Sequence, residues 1–153
     1  MNAVLLMALF AQAETPAEDA LPPGTMEIHR MLSARDNAPS CEDVEALSSE
    51  PVQALLYIAE NATQPPWAGI RAAECLTTRH AEQIQPQLEQ WVQNTETKGF
   101  ALVVFNNIDR IPEPIADNIV RTSLAGPLAD DARPRLKSHN IQRINYIIEE
   151  ISQ

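Results

Sequence analysis

The 153-residue sequence predicts a single all-α domain of about seven or eight helices. Apolar residues recur three and four positions apart through most of the chain, which is the spacing of one helix face. No stretch alternates in the strict manner of a half-buried strand. Twelve prolines against only four glycines favour short helices with firm ends over strands joined by glycine turns.

The first residues have a different composition from the rest. An apolar run, Ala3 to Ala11, is followed by Ala11-Gln12-Ala13, which matches the apolar region and cleavage site of a signal peptide, although no Lys or Arg precedes the run. We therefore expect residues 1–13 to be a signal peptide and the mature chain to be periplasmic or secreted. The alternative is an amphipathic or buried N-terminal helix of a cytosolic protein.

Two further expectations concern the N-terminal region. The apolar run is too short to cross a bilayer, which needs about 20 apolar residues, so no stable membrane insertion is expected after cleavage. Residues 14–24, ETPAEDALPPG, are acidic and proline-rich without periodicity, and they predict a flexible leader. The predicted helical domain therefore extends over residues 25–153.

The first predicted helices lie on either side of a polar break. Met26, His29 and Leu32 recur at helical spacing, and the segment DNAPS ends that helix. Ser40 is a good N-cap residue for a short helix over residues 41–47. These two helices precede the longer ones.

The later helices are longer and come in pairs. Pro51 suits the first turn of a helix over residues 50–61, and Pro65 or Pro66 begins the next, which extends to about Thr78. The 98–108 segment is apolar nearly all round, so it is predicted to be the most buried helix. Its predicted core residues are Phe100, Val103, Val104, Phe105 and Ile108. The other predicted helices lie within residues 84–94, 113–126, 130–140 and 140–152.

Corresponding apolar positions recur at nearly equal intervals along the chain. In the first helix of successive pairs they are Leu56, Leu88 and Ile119. In the second helices they are Ile70, Phe100 and Ala132. A steady period of about 31 residues, built from two helices, is typical of α-solenoids, in which each pair buries its apolar faces on the next.

One segment resembles a known repeat family. The sequence VQALLYIAE, a short turn and AGIRAAECL together resemble a HEAT repeat, or its phycobilin-lyase-like relative, through Arg71, the following alanine pair and Leu76. The resemblance implies a short α-α superhelix of HEAT-like hairpins over about residues 50–140. Family members often carry an Asp in the turn, whereas this turn is Gln64-Pro65-Pro66. The alternative is an irregular helical bundle whose spacing is fortuitous.

Two cysteines, Cys41 and Cys75, permit one disulfide in an exported chain. In a helix stack, a helix before the first pair covers its exposed end. The short helix that begins at Cys41 can therefore lie on the small-residue face formed by Ala68, Ala72 and Cys75. The bond is predicted on this ground, and two buried thiols are the alternative.

Charge and motifs limit the classes of function. A formal net charge of −10 argues against binding to nucleic acid or anionic lipid, because phosphate affinity needs clustered Lys and Arg. None of His29, His80 and His139 has a second His or Cys three or four residues away, so no metal ligand pair is predicted. The sequence also contains no recognisable nucleophile motif or glycine-rich phosphate loop. No catalytic residue, metal or cofactor is therefore predicted.

The leading functional prediction is a non-enzymatic interaction or scaffold module outside the cytoplasm, with a protein or peptide as its partner. Solenoids offer an extended face lined by the second helix of each pair. The candidate residues are polar positions on two of those helices, Arg71, Glu74, Thr78, Arg133 and Lys137. The resemblance also implies an alternative, a small enzyme or chromophore-processing protein of the HEAT-like lyase type. Two carboxylates or a Cys–His pair meeting in a deep pocket would favour that alternative.

Overall fold

The computed structural model describes residues 20–153, so the predicted signal peptide and most of the predicted leader lie outside the described residues. The described part contains nine α-helices, two single-turn 3₁₀ helices and no strand, which confirms the all-α class. The predicted number of seven or eight helices was too low, although each of the nine corresponds to a helical segment predicted from the sequence. The α-helices are α1 (Thr25–Leu32), α2 (Cys41–Glu45), α3 (Pro51–Asn61), α4 (Pro66–Arg79), α5 (Gln85–Gln93), α6 (Lys98–Asn106), α7 (Glu113–Leu124), α8 (Ala129–Ser138) and α9 (Gln142–Ile151).

Prolines mark the beginnings of four helices. Pro51, Pro66, Pro86 and Pro114 occupy the first two positions of α3, α4, α5 and α7. A proline fits there because its fixed φ is already helical and the first backbone N–H groups of a helix have no internal acceptor. Four of the twelve prolines of the chain thus mark helix beginnings.

The predicted cap of the second helix is present. The Ser40 hydroxyl oxygen accepts a hydrogen bond from the Asp43 backbone N–H at 3.1 Å and donates one to Asp43 Oδ2 at 2.6 Å. The helix ends at Glu45 rather than at the predicted Leu47, and the chain continues as a turn. This short helix places Cys41 and Glu45 on the same side, one turn apart.

The helices pack mainly against their neighbours in sequence. Contacts join α3 to α4, α5 to α6 and α7 to α8, so each of these pairs is a helical hairpin. The second helices contact one another in the order α4, α6, α8, and α5, α7 and α9 do the same. At the N-terminal end, α1 packs on both α3 and α4. No helix of residues 20–153 has both the length and the apolar character needed to cross a membrane.

One hydrophobic core extends from α1 to α9, from Ile28 at one end to Ile148 at the other. Of the six positions from which the period was inferred, Leu88, Ile119 and Ala132 are fully buried. The other three, Leu56, Ile70 and Phe100, are half-buried, and Leu56 and Phe100 pack against the core. Burial at these positions therefore does not repeat from pair to pair.

By number of buried residues the most buried helix is α4, ahead of α7 with six, and the expectation for α6 was wrong. Three residues of α6 are buried, Ala101, Val104 and Phe105. Seven residues of α4 are buried, Ala68, Gly69, Ala72, Ala73, Cys75, Leu76 and Thr77. Both helices have three packing neighbours, α1, α3 and α6 for α4 and α4, α5 and α8 for α6, but α4 is longer and is also bonded to α2. Of the predicted core residues, Val104, Phe105 and Ile108 are buried, while Phe100 and Val103 are only half-buried.

Replacement of Phe105 tests this core. The side chain is completely buried, so Phe105→Ala should lower the free energy of unfolding by about 3–5 kcal/mol, because transfer and cavity costs add. Urea denaturation followed by circular dichroism measures the change. Val103→Ala on the same helix is the control, and it should cost less because that side chain is only half-buried. A loss below about 1 kcal/mol for Phe105→Ala would contradict the packing described for α6.

Candidate functional site

A disulfide joins α2 to α4. Cys41 and Cys75 are bonded, with their Cα atoms 5.4 Å apart, which confirms the pairing predicted from the sequence. Neither cysteine of the chain is therefore free, and neither is available as a thiol nucleophile or a thiolate ligand. The bond attaches the shortest α-helix to the most buried one.

A second connection between the same helices lies one turn further along. Arg79 Nε donates to both carboxylate oxygens of Glu45, at 2.9 and 3.1 Å, and His80 Nε2 lies 2.8 Å from Glu45 Oε1. Glu45 and Arg79 each follow a bonded cysteine by four residues, so α2 and α4 run in the same direction. We refer to Cys41, Cys75, Glu45, Arg79 and His80 together as the α2 clasp.

The carboxylate of the α2 clasp has an altered pKa. Burial raises the pKa of Glu45, but hydrogen bonds and charge from Arg79 and His80 outweigh this effect and hold it below the ordinary value of 4.5. In return, the hydrogen bonds that Arg79 donates to Glu45 raise the pKa of Arg79. His80 Nδ1 lies 3.5 Å from Gln83 Nε2, so both ring nitrogens face protein atoms. This arrangement uses the imidazole to hold α2 in place.

The three histidines each connect segments that are distant in sequence. His29 Nε2 lies 3.1 Å from the Gln64 carbonyl oxygen, and His139 Nε2 lies 2.9 Å from that of Phe105. His80 and His139 are at helix ends, where they are the C-cap residues of α4 and α8. Within residues 20–153, no group of three or more His, Cys, Asp or Glu side chains is arranged to hold a metal ion.

Two side chains of α4 close the C-terminal end of α1. Arg71 Nη1 donates to the carbonyl oxygens of Leu32 and Ala34, at 2.7 and 2.5 Å, and Trp67 Nε1 donates to that of Ser33 at 3.3 Å. The last carbonyl groups of a helix have no partner within the helix, and a cation also complements the negative end of its dipole. Because Trp67 and Arg71 are one turn apart, both reach the same helix end.

Arg71, Trp67 and Arg35 also form a surface, which we call the Trp67 surface. The Arg35 guanidinium carbon lies 6.0 Å from the centre of the Trp67 ring, a cation–π distance. The three residues line an open depression of about 490 Å³. Across residues 20–153, no carboxylate lies within 4.0 Å of either guanidinium. Two cations beside an aromatic ring therefore face solvent without an acidic partner in this part of the chain.

The other candidate residues from the sequence do not join this surface in one cluster. Glu74 and Lys137 are exposed, Thr78 Oγ1 donates to the carbonyl oxygen of its own helix at Glu74, and Arg133 donates to Ser152 Oγ at 2.6 Å. Glu74 and Thr78 are on α4, whereas Arg133 and Lys137 are on α8, and α6 lies between the two helices.

Sequence reasoning missed two members of the Trp67 surface. Trp67 could have been found, because it lies four residues before Arg71 and therefore shares its helix face. Arg35 lies in the irregular segment after α1, where no periodicity predicts the direction of a side chain.

The disulfide should contribute substantially to stability. It closes a loop with a sequence separation of 34, and the loss of chain entropy in the unfolded state is worth about 3–4 kcal/mol. Reduction should therefore lower the free energy of unfolding of the wild-type chain, measured by urea denaturation. A chain carrying both Cys41→Ser and Cys75→Ser should not respond to reductant. Two free sulfhydryls, titrated in denatured, unreduced protein from its native host, would contradict the bond.

The lowered pKa of Glu45 predicts a pH dependence of stability. A carboxyl whose pKa is lower when folded stabilises the protein above its unfolded pKa, and this contribution is lost as pH falls through the lowered folded value. Glu45→Gln should therefore reduce stability at pH 7, and its difference from wild type should shrink below about pH 4.5. Denaturation at several pH values measures this difference. Glu74→Gln, at an exposed position, is the control, and an equal pH profile for both variants would refute the role of Glu45.

No family model, no curated protein and no solved structure matches the chain. The relation to HEAT-like repeats therefore stays a prediction based on the VQALLYIAE and AGIRAAECL segments.

Proposed function

We propose that this chain is an exported protein-interaction module built from HEAT-like helix pairs, and that the Trp67 surface is part of its binding face. One observation carries the proposal. Two guanidinium groups without a carboxylate partner in residues 20–153 lie beside a half-buried tryptophan, on a chain with a net charge of −10. Trp and Arg are among the residues that most often dominate the binding energy of protein interfaces.

The local structure favours binding because it is already ordered. The indole of Trp67 and the guanidinium of Arg71 are held by three backbone carbonyl groups at the end of α1. Side chains that are fixed before binding lose less conformational entropy when a partner arrives. The α2 clasp adds to this order, since it attaches a second element to the same helix.

Export is supported by two observations. The Cys41–Cys75 bond is of the kind that persists in oxidising compartments, and the apolar N-terminal run with its Ala13 site is typical of a signal peptide. The helix-repeat architecture is supported by three successive hairpins, by the serial contacts of their second helices and by the regular recurrence of apolar positions in the sequence.

The experiment is a capture assay with the mature chain as bait and the extracytoplasmic fraction of the native host as the source of partners. Arg35→Gln is the informative variant, because within residues 20–153 the guanidinium of Arg35 lies over the Trp67 ring and makes no hydrogen bond or ion pair. Its loss should therefore change stability by less than about 0.5 kcal/mol. Arg110→Gln is the matched control, since Arg110 is also exposed and has no carboxylate partner in the same described range.

We expect at least one protein, identified by mass spectrometry, to be recovered equally by wild type and Arg110→Gln and about tenfold less by Arg35→Gln. Single alanine variants at Glu74, Thr78, Arg133 and Lys137 test the rest of the predicted face in the same assay. If no recovered protein depends on Arg35, the Trp67 surface is not the binding face.

Export is tested separately by mass spectrometry of the protein from its native host. The measured mass should correspond to a mature chain that begins near Glu14, and a chain with an intact Met1 in the cytoplasm would refute export.

A further inference from the structure

We infer that the Trp67 surface binds a carboxylate-bearing peptide segment of its partner, with Arg71 and Arg35 as the two cations that receive it. This inference rests on the proposed function and names the chemistry of the partner. It follows from the hydrogen-bond groups that remain open at the surface, from its shape and from the charge of the whole chain.

Arg71 has one edge of its guanidinium left for a ligand. Nη1 carries two hydrogens, and both are directed to carbonyl oxygens, those of Leu32 and Ala34. The Nε–H and Nη2–H groups donate to no protein atom of residues 20–153. Together they form the parallel pair of donors that matches the two oxygens of a carboxylate. The anchored Nη1 holds this edge in a fixed orientation.

Arg35 and Trp67 add a second cation and an apolar wall. Arg35 is exposed, lies over the Trp67 ring and makes no hydrogen bond or ion pair within the described residues, so its guanidinium can turn toward an anion without losing a hydrogen bond. The indole N–H of Trp67 is already used by Ser33, which leaves the ring face as the contact surface. An aromatic face beside two cations suits an extended peptide in which an acidic side chain is next to an apolar or aromatic one.

The charge of the chain favours a peptide over a polyanion. The protein has 21 acidic residues against 11 basic ones, so a long run of phosphates would be repelled by most of its surface. Nucleic-acid affinity also grows with the number of phosphates that are neutralised, and this surface offers two cations. By contrast, Arg79, Lys98, Arg121 and Arg143 are already paired with carboxylates of the protein. The Trp67 surface can therefore bind one or two carboxylates on a short segment.

The two tryptophans provide a direct measurement. In a ¹H–¹⁵N spectrum of the full chain, the indole N–H of Trp67 reports on the surface. That of Trp91 is an internal reference, because Trp91 is buried and packs against Phe100, with the two rings tilted by 45°. The probe is a capped peptide of sequence GEYEG, and its control is GQYQG, which has nearly the same shape without charge. We expect a saturable shift of the Trp67 signal with GEYEG, none with GQYQG, and an unchanged Trp91 signal.

Variants assign the effect to the cations. Arg35→Gln should weaken GEYEG binding about tenfold, since one charge-assisted interaction is lost, whereas Arg110→Gln should leave it unchanged. The unfolding transition of each variant shows that the fold is retained. Equal effects of the two arginine variants would mean that the peptide responds to overall charge, and this result would overturn the assignment.

Other results would contradict carboxylate recognition by the Trp67 surface. Equal shifts with GEYEG and GQYQG, or none with either, would refute carboxylate recognition. A shift with inorganic phosphate as large as that with GEYEG would identify a general anion site, and tighter binding of a short oligothymidylate would identify a nucleic-acid site; either result overturns the inference. If capture of a partner depends on Arg35 while GEYEG has no effect, the proposed function is supported and only the carboxylate inference fails.

Discussion

Close packing around α4 is the constraint on which the other parts of this structure depend. The helix contacts α1, α3 and α6, and its disulfide joins it to α2. So many neighbours can approach one helix only if its side chains are small, and the buried residues of α4 include three alanines and a glycine. A larger residue at Ala72 or Ala73 would force neighbouring helices apart or into strained positions, because both sites are fully buried.

The N-terminal helices illustrate a second principle, which is that short elements need specific attachments. With eight and five residues, α1 and α2 are too short to be stable alone in water. Apolar burial holds α1 through Ile28 and Leu32, and Arg71 and Trp67 satisfy its last carbonyl groups. The second helix depends on a disulfide and on the ion pair of Glu45. The disulfide, the Glu45–Arg79 ion pair and the hydrogen bonds from Arg71 and Trp67 all end on α4, while α1 also packs on α3. Helix α4 therefore supports both short helices and the Trp67 surface.

The same attachments produce the candidate binding surface. Arg71 caps α1 with one nitrogen and also lines the open depression beside Trp67, so a contact that stabilises the fold also orients a candidate binding group. Arg35 lies just beyond the helix end that Arg71 caps, which brings a second cation to the same place. In this protein the stability of the N-terminal end and the chemistry of its surface therefore rest on shared residues.

The sequence by itself determined the helical class, most helix beginnings and the presence of two cysteines able to pair. These properties are local, since periodicity, prolines and caps act within a few residues. Only the tertiary structure decided that Arg71 reaches the carbonyl groups of α1, that Arg35 meets Trp67 and that α4 rather than α6 is most buried. The helical period shows which residues share a face of one helix, but not which element lies opposite that face. Arg71 and its two acceptors are 37 and 39 residues apart, and their meeting depends on how separate helices pack.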